Sequence, residues 1–385
     1  MKLGKIAAAM VAAGLAISAG LAVTAGPAAA AGIQTIYMKP GGSPTATGTT
    51  PEDGAGTLER VAQLIAAGPK DQDVEVRIMG GTYTALQTKW LTYRPGRSIS
   101  FMPADYTVGG GATSFTQKPV FENARLAGSL RYGPGYWFYA CPGGDLAAGG
   151  DSKLNFYYLQ VQNYSSGGIS LDGSGEDGCG GGYQATSGLG QPSARGLNRN
   201  TIFGMRFTSL GNAYTGGTCD TTSDFVRCGY GGVVLTESSN NRIENNHFIN
   251  LRNSENSYIH AIYVTHKSWY NNFTRNNVTG VSSDPVKVRN TSNYNTFDSN
   301  VFGANDFYRT TTPGAAHYLE EIGTGQCASY HNRFTNNDLG TFLIASTANL
   351  PTWLIHPAGA TYPGGTGCPA LPAGEVRLTT AGNQY

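Results

Sequence analysis

Residues 240–251 read NNRIENNHFINL, and three later stretches repeat the pattern: NNFTRNNVTGV over 271–281, NYNTFDSNVFG over 293–303 and HNRFTNNDLG over 331–340. Aligned on the second asparagine of each, Asn246, Asn277, Asn300 and Asn337 recur at spacings of 31 (277−246), 23 (300−277) and 37 (337−300). Repeats of this size belong to arrays in which each turn stacks on the last. An Asn at the same corner of every turn can hand amide hydrogen bonds along the stack. The spacing of 23 suits one bare coil of three short strands with their turns, and the others add 8 (31−23) and 14 (37−23) residues. Such insertions leave a stacked coil as loops, and loops gathered on one face are where these folds bind.

The period inside each repeat is two. Val286 and Val288 alternate with Lys287 and Arg289; Phe297, Ser299 and Val301 alternate with Asp298 and Asn300. That is strand periodicity, and the runs end in the turn formers Asn, Ser and Gly. A sandwich of antiparallel strands would share the alternation but would not explain the recurring Asn corner. The expectation is an all-β solenoid.

Composition bounds the rest. The chain has 385 residues, 54 of them Gly, and only 13% are charged, which suits tight turns and a weakly charged surface. The formal charge is +1, and Lys2 and Lys5 carry two of the positives, so the chain without its first 31 residues stands near −1 (1−2). That gives no electrostatic case for nucleic acid. Residues 1–31 read as a secretory signal: Lys2 and Lys5, the apolar stretch Ile6–Val23, then Ala28–Ala31 at the cleavage region. A secreted, monomeric chain with no membrane contact after signal removal is expected. The six cysteines read as disulfides, which 15 pairings would satisfy. Cys219–Cys228 is the first choice, followed by Cys141–Cys179 and Cys327–Cys368. No CxxC occurs and no His stands at ligand spacing from a Cys, which argues against a zinc-type site.

Along the chain, Thr57 caps a helix whose Leu58, Val61, Leu64 and Ile65 share one face. This helix, within about 55–70, is expected to cover the open end of the stack, because a stack of strands exposes apolar surface and unpaired edges there. Val74, Val76 and Ile78 then begin the first coil. Within 82–200, Ser98–Met102 and Asn155–Val161 read as strands, interrupted by Gly-rich loops; the clearest coils run over 200–345. The Pro/Gly-rich tail, 358–385, is expected along the outside or over the far end. No linker divides residues 32–385, so one domain is expected. The sequons at Asn163, Asn272, Asn277 and Asn290 are read as coil corners rather than glycan sites.

These features resemble the pectate-lyase-like superfamily. The carriers are YMKPGG from Tyr37, GTLERVAQLIAAG from Gly56, VEVRIMGGTY from Val74, and the repeated Asn turns. The resemblance implies a right-handed parallel β-helix with a short N-terminal capping helix. HAIYV from His260 and DPVKVRN from Asp284 resemble the central coils of secreted polysaccharide lyases, alginate-lyase-like ones included. The fold family also holds hydrolases, epimerases and adhesins.

Stacking the central strands builds a candidate site. Gly232–Thr236, Ala261–Thr265 and Pro285–Arg289 lie over one another, with Val233, Ile262 and Val286 inward, as are Leu235, Val264 and Val288. Pleating then turns Tyr263, Thr265, Lys287 and Arg289 outward on one face. His260 begins one strand and Asp284 the next, and Glu320 and Glu321 follow on the next coil. This set suits β-elimination on a uronate polymer, such as alginate or glucuronan. The reaction removes the C5 proton beside a carboxylate and expels the 4-linked sugar, so the carboxylate must be neutralised, as Arg289 can do bidentately. Lys287 and Tyr263 are the base–acid pair, in either order. The like-charged Arg289 disfavours the protonated form of Lys287. His260 takes either role or orients the substrate; Thr265, Asp284, Glu320, Glu321, His266 and Lys267 are expected to bind it. Insertions between Asn250 and Tyr258 and between Gly303 and His317 would wall the groove. No cofactor is expected, with calcium on Asp284, Glu320 and Glu321 the lesser reading. Two other functions share the scaffold: a glycoside hydrolase using a carboxylate pair from Asp284, Glu320, Glu321 and Glu237, and a non-catalytic glycan-binding β-helix.

Overall fold

The computed structural model describes residues 32–85, 87–110, 118–125, 135–143, 146, 150–174, 196–215, 229–253, 258–303, 316–322, 326–340, 353–355 and 376–384. Gly32–Tyr385 form one contact unit. Its described strands make three parallel sheets of ten, seven and eight strands, visited in the same order on each turn from Asp73–Ile78 to Asn332–Thr335. One such turn is Arg242–Glu244 in the first sheet, His247–Leu251 in the second and His260–Thr265 in the third, after which Asn272–Thr274 returns to the first. The molecule is a right-handed parallel β-helix. The proposed signal, residues 1–31, lies outside the described residues. Among the described residues no helix is long and apolar enough to cross a membrane.

The helix Leu58–Ala67 starts where its cap predicts, with Thr57 Oγ1 accepting from Arg60 N at 3.1 Å. It buries Leu58, Val61 and Ile65 in the same core as Ile36 and Val74. Buried Arg94 donates to the Ile65 carbonyl at its last turn.

The corners follow one rule. A residue in the left-handed region precedes an inward asparagine: Asn245 (φ 56), Arg275 (54), Ser299 (55) and Asn336 (54) precede Asn246, Asn276, Asn300 and Asn337. Non-glycine residues adopt this conformation at a cost, so something must offset it. The offset is an amide ladder. Asn246 Nδ2 donates to Asn276 Oδ1 at 3.0 Å, Asn276 to Asn300 at 3.0 Å, Asn300 to Asn337 at 3.0 Å and Asn337 to Asn383 at 3.0 Å. Each Oδ1 also takes a main-chain N–H from the coil before, as Asn276 does from Asn246 N at 3.0 Å. A second ladder runs through Asn200, Asn241, Asn271, Asn295 and Asn332. Four successive coils therefore contribute two ladder asparagines each, five positions apart (246−241, 276−271, 300−295, 337−332).

Several expectations need correction. The repeat is carried by Asn276, not Asn277, so the spacings are 30 (276−246), 24 (300−276) and 37 (337−300). The stretch around Phe297 is not one strand: the chain turns at Ser299–Asn300, and Phe302, fully buried, faces inward while Val301 is exposed. Residues 82–200 hold regular coils too, for example Ile99–Pro103, Pro119–Asn123 and Tyr136–Ala140. Within the expected tail, Leu378–Ala381 pairs in parallel with Asn332–Thr335 at the far end of the first sheet. Of the sequons, Asn163 (φ 67) and Asn290 (φ 49) are corners, whereas Asn272 and Asn277 open strands. Cys141 and Cys327 are not free thiols. Each pairing expected from sequence involves at least one cysteine outside the described residues, as do the two groove-walling insertions.

Candidate active site

The third sheet carries the site. Its register aligns Val234, Tyr263, Lys287 and Leu319 in one outward column on successive strands. The inward neighbours Val233, Ile262 and Val286, then Leu235, Val264 and Val288, are all fully buried. Alternation on a pleated strand requires this split. Arg289 and Glu321 pair in register one step further along.

Strict alternation would turn His260 inward with Ile262. A bulge prevents it. Ala261 N and Ile262 N both donate to Pro285 O, at 3.0 and 3.0 Å, and both side chains enter the core. The extra residue re-aims His260, as bulges beside functional sites do. Its ring lies 5.5 Å from that of Tyr263, and Nδ1 stands 2.7 Å from the Asp284 carbonyl oxygen. A carbonyl only accepts, so Nδ1 carries the proton. Burial, then the charge of Lys287, holds His260 well below the usual histidine range, so the ring is neutral. At 1% exposure it lies beneath Tyr263 rather than at the surface.

The polar groups converge. Arg289 Nη1 donates to Tyr263 Oη at 3.4 Å and Nε donates to Gln326 Oε1 at 3.2 Å. Lys287 Nζ forms an ion pair with Glu321, which also stands beside Arg289. Glu321 thus places a half-exposed carboxylate on Lys287, in register with Arg289 on the neighbouring strand. Tyr230 stacks 6.1 Å from Tyr263, and Tyr136, Tyr139 and Val234 extend this apolar floor toward the N-terminal coils. Tyr139 Oη donates to Asp172 Oδ2 at 2.7 Å at its far side.

The other expected site residues are placed differently. Glu320 is sealed: it pairs with Arg377, accepts from Ser329 N at 2.7 Å and is 2% exposed. Its position in the strand opposite buried Val288 turns it away from the groove. Asp284 is buried and accepts from Ala316 N at 2.7 Å, so it holds the next coil in place. Burial raises its carboxyl to about 6, against the opposing pull of Ala316 N and Lys287. Thr265 faces outward and its Oγ1 lies 2.8 Å from His266 Nδ1. His266 and Lys267 make a left-handed turn after the strand (φ 49 and 54). Burial, then Arg289, holds His266 near 3, so it is neutral; burial also lowers Lys267, against Glu237 beneath it. Glu237 is itself fully buried. Among the described residues no group of three or more His, Cys, Asp or Glu converges as a metal site would need.

Sequence reasoning missed Gln326, Tyr230 and the floor from Tyr136. The run YWFYA from Tyr136 carries the aromatic signal, but Gly-rich stretches on both sides hid its register with Tyr263.

No protein family model matches this chain, and no curated protein matches it. Among solved structures it is similar to an alginate lyase from Paenibacillus sp. str. FPU-7, at 13% identity and a TM-score of 0.44 over 85% of this chain and 96% of that one. It is similar to a rhamnogalacturonan lyase at 15% identity and 0.45, over 79% and 67% of the two chains. It is similar to pectate lyase Pel9A at 12% identity and 0.47, over 89% and 82%. These likenesses are of fold.

Proposed function

We propose that the chain is a secreted polysaccharide lyase that cleaves a uronate-containing polymer, alginate or glucuronan among the candidates, by β-elimination. One observation carries the reading: Arg289, Lys287 and Tyr263 meet on one outward face, with a carboxylate, that of Glu321, already resting on Lys287. A substrate carboxylate takes that place. Arg289, with the Gln326 amide beside it, neutralises the sugar acid and stabilises charge as the C5 proton leaves. Tyr263 Oη, which accepts from Arg289, takes that proton in its ionised, phenolate form. Lys287, ion-paired with Glu321, gives a proton to the departing 4-oxygen. This order differs from a lysine base, and the ion pair is the reason. His260 supports Tyr263 from below and, being neutral, adds no third positive charge. The floor of tyrosines suits sugar rings.

The hydrolase alternative needs two carboxylates facing one bond. Of Asp284, Glu320, Glu321 and Glu237, only Glu321 reaches the outer face, and the other three are buried. The test is a screen of acidic polysaccharides that reads ultraviolet absorbance of the new double bond together with product mass. Unsaturated ends support elimination. Products carrying an added water and no double bond select hydrolysis, and tight binding without turnover selects a glycan-binding scaffold.

A further inference from the structure

The second sheet carries a cluster that the elimination chemistry does not use. Arg206 and His247 are paired in register on adjacent strands, with Gln160 on the strand before. Their inward neighbours Val161, Phe207 and Phe248 are fully buried, so these three side chains face outward. Lys118 stands just before the strand Pro119–Asn123, two residues from Val120, which pairs with Gln160. The reach of a lysine brings its ammonium to Arg206. Lys118 and Arg206 are half-buried and His247 is exposed.

Among the described residues no hydrogen bond or ion pair engages any of these three side chains. Burial and then Arg206 lower Lys118; burial, then Lys118 and Arg206, lower His247. Several outer cations elsewhere are partnered: Glu244 takes Arg242 and Arg275, Glu75 takes Arg77, and Glu321 takes Lys287. The acid on this face, Glu122, lies one column over and accepts from Asn163 Nδ2 at 2.8 Å. Half-buried like charges with no counter-charge destabilise a fold. On a chain near neutral overall, such a group marks a local anion site. The side-chain amides of Gln160 and Gln162, 2.8 Å apart, lie alongside and suit hydroxyl groups.

We propose that Lys118, Arg206 and His247 form a second binding site for an anionic polysaccharide, on a different face from the groove of the third sheet. Lys118 to His247 spans three strand spacings, roughly 14 Å, the scale of a short oligosaccharide. The site takes carboxylates on neighbouring sugars and holds a long polymer on the enzyme between cleavages. The proposal rests on the lyase reading for the identity of its anion, a uronate chain.

The test uses the full chain carrying Tyr263→Phe, to prevent cleavage, in affinity electrophoresis through gels containing alginate, polygalacturonate or glucuronan. Retention is expected on at least one polymer and should fall with salt. Adding Lys118→Ala, Arg206→Ala and His247→Ala together should weaken retention roughly tenfold, since two half-buried cations and a hydrogen-bonding imidazole are lost. Arg206→Gln alone, a mild outward change, should give a smaller loss in the same direction. In the otherwise native chain the triple change should leave turnover of short oligouronates intact. Unchanged retention in both variants overturns the proposal, as does absence of retention on all three polymers. If retention depends on the trio but the native chain cleaves none of these polymers, the lyase reading fails and the second site stands.

Discussion

Arg289 Nη1 reaches Tyr263 Oη across 3.4 Å, a contact that joins two successive strands of the third sheet. The phenolic oxygen that is proposed to take the C5 proton therefore faces the cation that also meets the sugar acid. Each residue is held by pleating: Tyr263 lies between buried Ile262 and Val264, and Arg289 follows buried Val288.

Tyr263→Phe should lower kcat by about a hundredfold or more on the cleaved polymer, the scale of a lost proton-transfer group. Lys287 separates the two assignments of base and acid. Lys287→Arg keeps a charged donor and should retain part of the activity that Lys287→Gln loses. An arginine cannot serve as a base, so equal inactivity of the two variants would return Lys287 to that role.

Glu321 competes with substrate for the cations. Glu321→Gln should lower KM for the acidic polymer roughly two- to fivefold, the worth of a partly exposed ion pair. An unchanged or raised KM would show that Glu321 does not occupy the substrate carboxylate's place.

The amide ladder predicts a sharp contrast between neighbours. Asn276→Ala removes a buried amide bonded on three sides and should cost on the order of 2–4 kcal/mol. Asn277→Ala, whose outward side chain accepts only from Thr279 Oγ1 at 3.3 Å, should cost about 0.5 kcal/mol or less. Chemical denaturation of the two variants checks the register directly, and equal losses would refute it.

Asp284 links stability to pH. Its carboxyl is raised from 3.8 to about 6, chiefly by burial. Below about pH 4 folded and unfolded chains both hold the proton, and the group contributes nothing. Between pH 4 and 6 the unfolded chain releases it first, so stability falls as pH rises, by an amount on the order of 3 kcal/mol. Asp284→Asn keeps an acceptor for Ala316 N and removes this titration. Melting temperatures of variant and native chain should diverge across pH 4 to 6, the native chain lower, and stay parallel above. A gap that is constant across the whole range would contradict the assignment.

Much of this was legible because stacking is a one-dimensional problem. The alternation of Val286, Val288, Ile262 and Val264 set which side chains faced out, and it put Tyr263, Lys287 and Arg289 on one face before any coordinates. What misled was counting Asn pairs by position. Asn276 and Asn277 are the same residue type, and only the left-handed turn at Arg275 tells which amide enters the ladder. The same blindness joined two strands across Ser299. Glu320 and Glu321 show the limit at the site: adjacent carboxylates necessarily face opposite ways on a strand, and the partners Arg377 and Lys287 come from distant positions.

The sequence by itself determined that the chain coils, where the asparagine corners recur, and which strand residues point inward, because period and spacing are local properties. Tertiary structure alone decided three things: the bulge that brings His260 under Tyr263, the carboxylate that rests on Lys287, and the unpaired cations of the second sheet. Each depends on what a neighbouring coil places about 4.8 Å away, a distance in space that no spacing along the chain encodes.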